Sequence, residues 1–136
     1  MNRSSTQLRE AFGDDVTILS LDIHTDDRGT LTAVDLDALP FRVRRLFRVS
    51  GVPAGTRRGG HGHVRGVQAL FCTRGTIEVE LRRGGEVVEV TLRPDGTGLQ
   101  VGAGVWAQQR YVEGGSELLV LASEPYDPGT YDPHST

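Results

Sequence analysis

The sequence holds one cysteine, one methionine and one tryptophan, and aromatic residues make up only 6% of it. A lone cysteine excludes an internal disulfide framework and a cysteine metal cluster. Cys72 sits in the apolar run Val67, Ala69, Leu70, Phe71, where a small buried hydrophobe is the expected role. Positive charge is not in excess: 15 Lys and Arg against 18 Asp and Glu leave a formal charge of −3. That balance argues against nucleic acid or an anionic membrane as partner. No stretch approaches the about 20 apolar residues of a membrane span, and Met1 to Glu10 lacks the basic start and apolar core of a signal peptide. A soluble, cytoplasmic protein is expected.

What the chain does have is glycine, 18 of its 136 residues, and six prolines. Such punctuation predicts many short segments joined by tight turns. The length fits one domain, and neither an interdomain linker nor a repeat interrupts it. Residues 1–15 read as a helical or frayed lead-in, and residues 126–136 as a tail of turns. Between them the pattern belongs to strands. Ile77, Val79 and Leu81 share one face of a clean alternation, and Val88, Val90 and Leu92 return with the same period. Arg83-Gly84-Gly85-Glu86 between them reads as a hairpin turn. Leu118 to Leu121 is apolar without alternation, as expected of a strand covered on both faces. Every proline lies between these runs, where it breaks no ladder. The expected fold is all-β, a sandwich or barrel occupying 1–136 as one domain.

The dense polar island is Thr56-Arg57-Arg58-Gly59-Gly60-His61-Gly62-His63. Spacing by two puts both imidazoles on one face of an extended strand. Gly60 and Gly62 leave room beside the rings for a ligand or another backbone. Arg42, Arg44, Arg45, Arg48, Arg57, Arg58 and Arg65 cluster around the pair in sequence, a grouping suited to a small anion. One imidazole can take a proton made acidic by an adjacent carbonyl, and a second can orient it or return the proton. Neighbouring arginines would depress the imidazole pKa and keep the base neutral.

Metal ligation is the competing use of such a pair. A metal site built on a barrel strand would add a glutamate four or five residues on and a third histidine on a later strand. Those positions hold Val67 or Gln68, and the later strand Gly104 to Gln109 has no histidine. The donor set is poor, so no metal and no cofactor are expected. A loose dinucleotide fingerprint at Gly102 to Ala107 is followed by no helical pattern and is rejected. Trp106 is expected as a core residue rather than a ring that stacks on a ligand, though a barrel mouth allows both.

From Val16 to Tyr131 the chain resembles the sugar 3,4-ketoisomerases that act on dTDP-4-keto-6-deoxyglucose. The similarity runs through ordered landmarks. Asp27-Arg28-Gly29-Thr30-Leu31 resembles the x-R-G-x-L of a D-x-R-G-x-L opening, and Leu39-Pro40-Phe41 follows it. Arg58-Gly59-Gly60-His61-Gly62-His63 is similar to R-G-x-H-A-H, with Gln68 at the family's glutamine. Gly75, Gly98-Leu99, Val105-Trp106, Leu119 to Ser123 and Tyr126-Asp127 continue the series. The resemblance implies a metal-free cupin barrel, a homodimer that exchanges N-terminal strands, and transfer of a keto group from C4 to C3 of a nucleotide-linked deoxysugar. His61 would be the base and His63 its partner. Arg45, Arg48, Arg58, Gln68, Trp106 and Gln108 are the expected substrate contacts, the arginines for the diphosphate of a dTDP-hexose. Two departures stand out. Where relatives carry an aromatic pair with a working tyrosine, this chain has Phe47-Arg48, and where they often carry His or Arg then Glu, it has Ala107-Gln108. A non-catalytic cupin that binds a nucleotide sugar or a partner enzyme, and a metal-dependent cupin enzyme, are the alternatives.

Overall fold

The computed structural model describes residues 2–134. Two five-stranded antiparallel sheets face each other across the core, and a separate two-stranded hairpin is inserted in the chain between two strands of the first. In chain order the elements are α1 (Asn2–Phe12), β1 (Val16–Ser20), β2 (Asp22–Asp26), β3 (Gly29–Ala33), β4 (Arg45–Val49), β5 (Thr56–His63) and β6 (Gln68–Arg74). There follow β7 (Ile77–Arg83), β8 (Glu86–Leu92), β9 (Thr97–Val101), β10 (Trp106–Tyr111), β11 (Glu117–Ala122) and β12 (Tyr131–Asp132). The first sheet runs β1-β9-β6-β11-β4 and the second β12-β5-β10-β7-β8, with β2-β3 standing apart. The all-β expectation holds.

Local chemistry explains the elements. Arg83 pairs with Glu86 across Gly84 and Gly85, whose φ values of 58° and 83° fit a two-residue turn that only glycine adopts readily at both positions. Ile77, Val79 and Leu81 are fully buried, as their alternation requires. On β11, Leu118 and Val120 enter the core between the sheets while Leu121, with Leu119 beside it, packs into a second cluster on the outer face. The unbroken apolar run is therefore covered on both sides. Cys72 is buried in the main core, and burial pushes its thiol up to about 11.

Two ends of the chain are more ordered than their sequence suggests. The lead-in is a helix whose Leu8 and Phe12, four residues apart and so on one face, are each 1% exposed in the core. It packs on β1 and β8 and covers that side of the sandwich. The tail of turns contains a 3₁₀ turn at Pro128–Thr130 and then β12, which pairs Tyr131 with His63 and Asp132 with Gly62. On the side away from α1, the first sheet ends at β4 and the second at β5 with its two-residue partner β12. The candidate site lies between those two ends.

Candidate active site

A cavity of about 400 Å³ lies there, lined from β4 by Arg45, Phe47, Arg48 and Val49, and from β5 by Arg58, Gly59, His61 and His63. β5 reaches this arrangement through a bulge. Ala107 of β10 pairs with His61, yet Gln108 pairs with Gly59, so Gly60 is the extra residue. Gly59 and Gly60 have φ values of 81° and 79°, a region L side chains rarely enter. In an unbroken strand Arg58 and His61 would face opposite sides. The extra residue restores both to the cavity side.

His61 and His63 lie on the same wall, ring centroids 5.2 Å apart and edge to face. A Cβ at Gly62 would meet the Val105 carbonyl oxygen at 3.0 Å, so glycine here lets the strand lie against the start of β10 without the neighbouring backbone having to give by a few tenths of an ångström. Burial lowers the pKa of His61. It lowers that of His63 to about 4, assisted by repulsion from His61 and Arg45. Both rings are therefore neutral at neutral pH, as a base requires. His61 Nδ1 is buried without a hydrogen-bond partner of normal geometry among the described residues, while the Gly62 backbone acts on the ring and partly offsets the effect of burial.

The expected contacts divide. Arg45, Arg48, Arg58 and Gln68 line the cavity with the histidines. Arg45 holds its guanidinium 4.5 Å from the Phe47 ring centroid and 5.0 Å from that of Tyr126. Arg48 and Arg58 are exposed members of the lining. Arg65 also lines it but is engaged with Glu124 and Asp127 at 3.3 and 3.2 Å. Trp106 and Gln108 are not brought in. On β10 the inward residues are Ala107, Gln109 and Tyr111, and alternation sends Trp106 and Gln108 to the outer face. There the Arg82 guanidinium sits 5.0 Å from the Trp106 ring, and the Gln108 amide lies beside Gly60. Among the described residues no three His, Cys, Asp or Glu side chains gather as a metal site.

Sequence reasoning missed Tyr131. Its ring stacks on His61 at 4.3 Å and 19°, and meets His63 edge-on at 4.7 Å. The signal was available only as a tyrosine in a turn-rich tail. Gln109 and Tyr111, also in the lining, were hidden by uncertainty over which face of β10 turns inward.

A neutral imidazole pair beside arginines can move a proton and hold an anion on one small molecule, and the chain has known relatives. The family model described as FdtA: WxcM-like, C-terminal, matches residues 14–134. The TDP-4-oxo-6-deoxy-alpha-D-glucose-3,4-oxoisomerase of Aneurinibacillus thermoaerophilus is 33% identical over 107 residues, 78% of this chain and 77% of that one. The crystal structure of QdtA, a sugar 3,4-ketoisomerase from Thermoanaerobacterium thermosaccharolyticum in complex with TDP, superposes with a TM-score of 0.83 at 30% identity, over 88% of each chain. The TDP-quinovose 3,4-ketoisomerase WlaRB of Campylobacter jejuni does so with a TM-score of 0.81 at 29% identity, over 88% of this chain and 93% of that one. The chain belongs to the FdtA, WxcM-like C-terminal family.

Proposed function

We propose that this protein is a 3,4-ketoisomerase of deoxysugar biosynthesis, acting on a TDP-linked 4-keto-6-deoxyhexose. The observation that carries the reading is a neutral histidine pair on the wall of a cavity edged by free arginines, in a chain similar to TDP-sugar 3,4-ketoisomerases. The C4 ketone acidifies the C3 proton. His61 removes it, the electron pair moves into a C3–C4 double bond, and the resulting enediolate takes a proton on its C4 oxygen to give an enediol. Proton delivery to C4 and loss of the C3 hydroxyl proton leave the ketone at C3. Nothing is oxidised or reduced overall, so no external electron carrier is required. His63, edge-on to His61 and held neutral, is the partner that orients the base or relays the proton.

Arg58 and Arg48 are the anion anchors in this reading, with Arg45 reinforcing the charge from β4. Phe47 offers no hydroxyl, and its ring instead carries the Arg45 guanidinium. Incubation with TDP-4-keto-6-deoxyglucose in deuterated water tests the function. NMR should show a 3-keto product carrying deuterium at C4. An unchanged substrate with no exchange at C3 would refute isomerisation and favour a non-catalytic binding role.

A homodimer belongs to the same proposal. The β2–β3 hairpin stands off the sandwich with Leu31 59% exposed, and β4 turns Leu46, 63% exposed, outward at a sheet end. A second cavity of about 330 Å³, lined by Leu21, Val34, Phe71, Leu119 and Leu121, adjoins the hairpin. Such apolar surface beside free strand edges suits a second copy. Sedimentation should give twice the 14.8 kDa chain mass. The cytoplasmic site of action expected from the sequence remains part of this reading.

A further inference from the structure

A second buried polar atom lacks a protein partner, and it belongs to a residue that lines the cavity outside the histidine pair. Tyr111, the last residue of β10, is 0% exposed, yet its hydroxyl has no hydrogen-bond partner among the described residues. The residue lines the same cavity as Arg58 and Gln109, which are cross-strand partners two rungs along the ladder. Val49, Leu70 and Leu118 of the opposite sheet also line it and offer only apolar side chains. A buried hydroxyl without a partner destabilises a fold, whereas phenylalanine would fill the same volume without that cost. Packing alone therefore does not account for a tyrosine here.

On the reading that the ligand is a TDP-hexose, we propose that the Tyr111 hydroxyl hydrogen-bonds an oxygen substituent of the hexose ring and so selects among sugars. Charge decides which part of the ligand it meets. A diphosphate keeps its hydration most cheaply at the exposed Arg58, whereas moving it inward onto the fully buried Tyr111 side chain would strip its water. The hexose is neutral and can go inward. Burial pushes the phenol up to about 12, so the group remains a neutral donor throughout the working pH range. A hexose lacking the matching oxygen would leave that donor unpaired, which is how a built polar contact discriminates.

The test is Tyr111→Phe, read by calorimetry with TDP and with TDP-glucose, which has no keto group and needs no turnover. TDP-glucose affinity should fall about two- to tenfold, the loss of one neutral hydrogen bond, while TDP affinity stays unchanged. The melting temperature should hold or rise, because an unpaired buried hydroxyl has been removed. Equal loss for TDP and TDP-glucose would place the contact on the nucleotide and overturn the assignment to the sugar. Unchanged affinities with a lower melting temperature would show that the hydroxyl is satisfied within the folded protein, and would overturn the proposal. If the wild type binds neither ligand, the TDP-hexose reading itself fails, an outcome distinct from a silent Tyr111→Phe.

Discussion

Tyr131 lies over His61 at 4.3 Å between ring centroids and 19° between planes, so the proposed base is roofed by a residue of the C-terminal tail. The pairing of Tyr131 with His63 on β5 fixes that roof in register. Tyr131→Phe should preserve the stack, worth about 0.5–1.5 kcal/mol for an aromatic pair. Tyr131→Ala should lose it and admit water to the imidazole. The pH–rate profile reports the difference: the acid limb of the alanine variant should move up toward the ordinary histidine value of 6.5, while the phenylalanine variant stays with the wild type. Identical limbs in all three proteins would mean that the stack has no influence on the base.

His61→Asn should retain fold and TDP affinity but lose turnover by roughly 10²–10⁴, the usual worth of a positioned general base. His63→Asn should be milder if His63 orients or relays. Near-wild-type turnover by His61→Asn on a verified substrate would leave the pair a structural role only.

Acid should impair the protein in two ways. Both histidine pKa values are lowered on folding, that of His63 to about 4, so the unfolded chain takes up protons at higher pH than the folded one. Their contribution to stability is full above about 6.5 and is lost as pH falls toward the folded values. The rate should follow the same direction, flat at neutral pH with an acid limb below 6.5. Denaturant titrations at stepped pH values, run beside the rate profile, check both. Stability that rises on acidification across this window would contradict the assignment of neutral, buried rings.

Arg58→Ala should weaken TDP binding about tenfold or more, since a hydrogen bond to a charged group is worth roughly 1.5–3 kcal/mol. Because Arg58 is exposed, the melting temperature should barely change. Unaltered TDP affinity by calorimetry would move the anion site elsewhere among the arginines.

Gly59→Ala should be costly out of proportion to one methyl. The new Cβ would lie 2.7 Å from Gln109 Oε1 on a backbone with φ of 81°. The left-handed conformation alone costs roughly 1–2 kcal/mol for an L side chain. A Tm decrease together with weaker TDP binding is expected. A fall in Tm with TDP binding unaltered would separate the bulge from the placement of Arg58.

Much of the fold was legible because its signals are local. The glycine turn of the β7–β8 hairpin and the two-sided apolar run of β11 state their structure within a few residues. The histidine pair was legible for the same reason, since spacing by two needs no knowledge of the partner strand. β10 defeats that logic: Trp106, Gln108 and Arg110 on one face and Ala107, Gln109 and Tyr111 on the other are both mixtures of polar and apolar groups. The large ring of Trp106 suggests the inside, but it lies outside against Arg82. Tyr131 depends on a two-residue strand whose pairing is set by distant β5, information that no local pattern contains.

The bulge at Gly60 makes β5 a strand with two phases. Before it, the even-numbered residue Arg58 lines the cavity; after it, the odd-numbered His61 and His63 do. The proposed anion anchor and the proposed base are thus written in different frames of one continuous strand, with a single residue as the frameshift between them. Deleting Gly60 would remove no functional side chain and would return the ladder to one regular alternation. Arg58 and His61 would then stand two residues apart and still share the cavity face, so the deletion would keep the two halves of the site together, whereas flattening the strand with Gly60 retained would set them on opposite sides of the sheet.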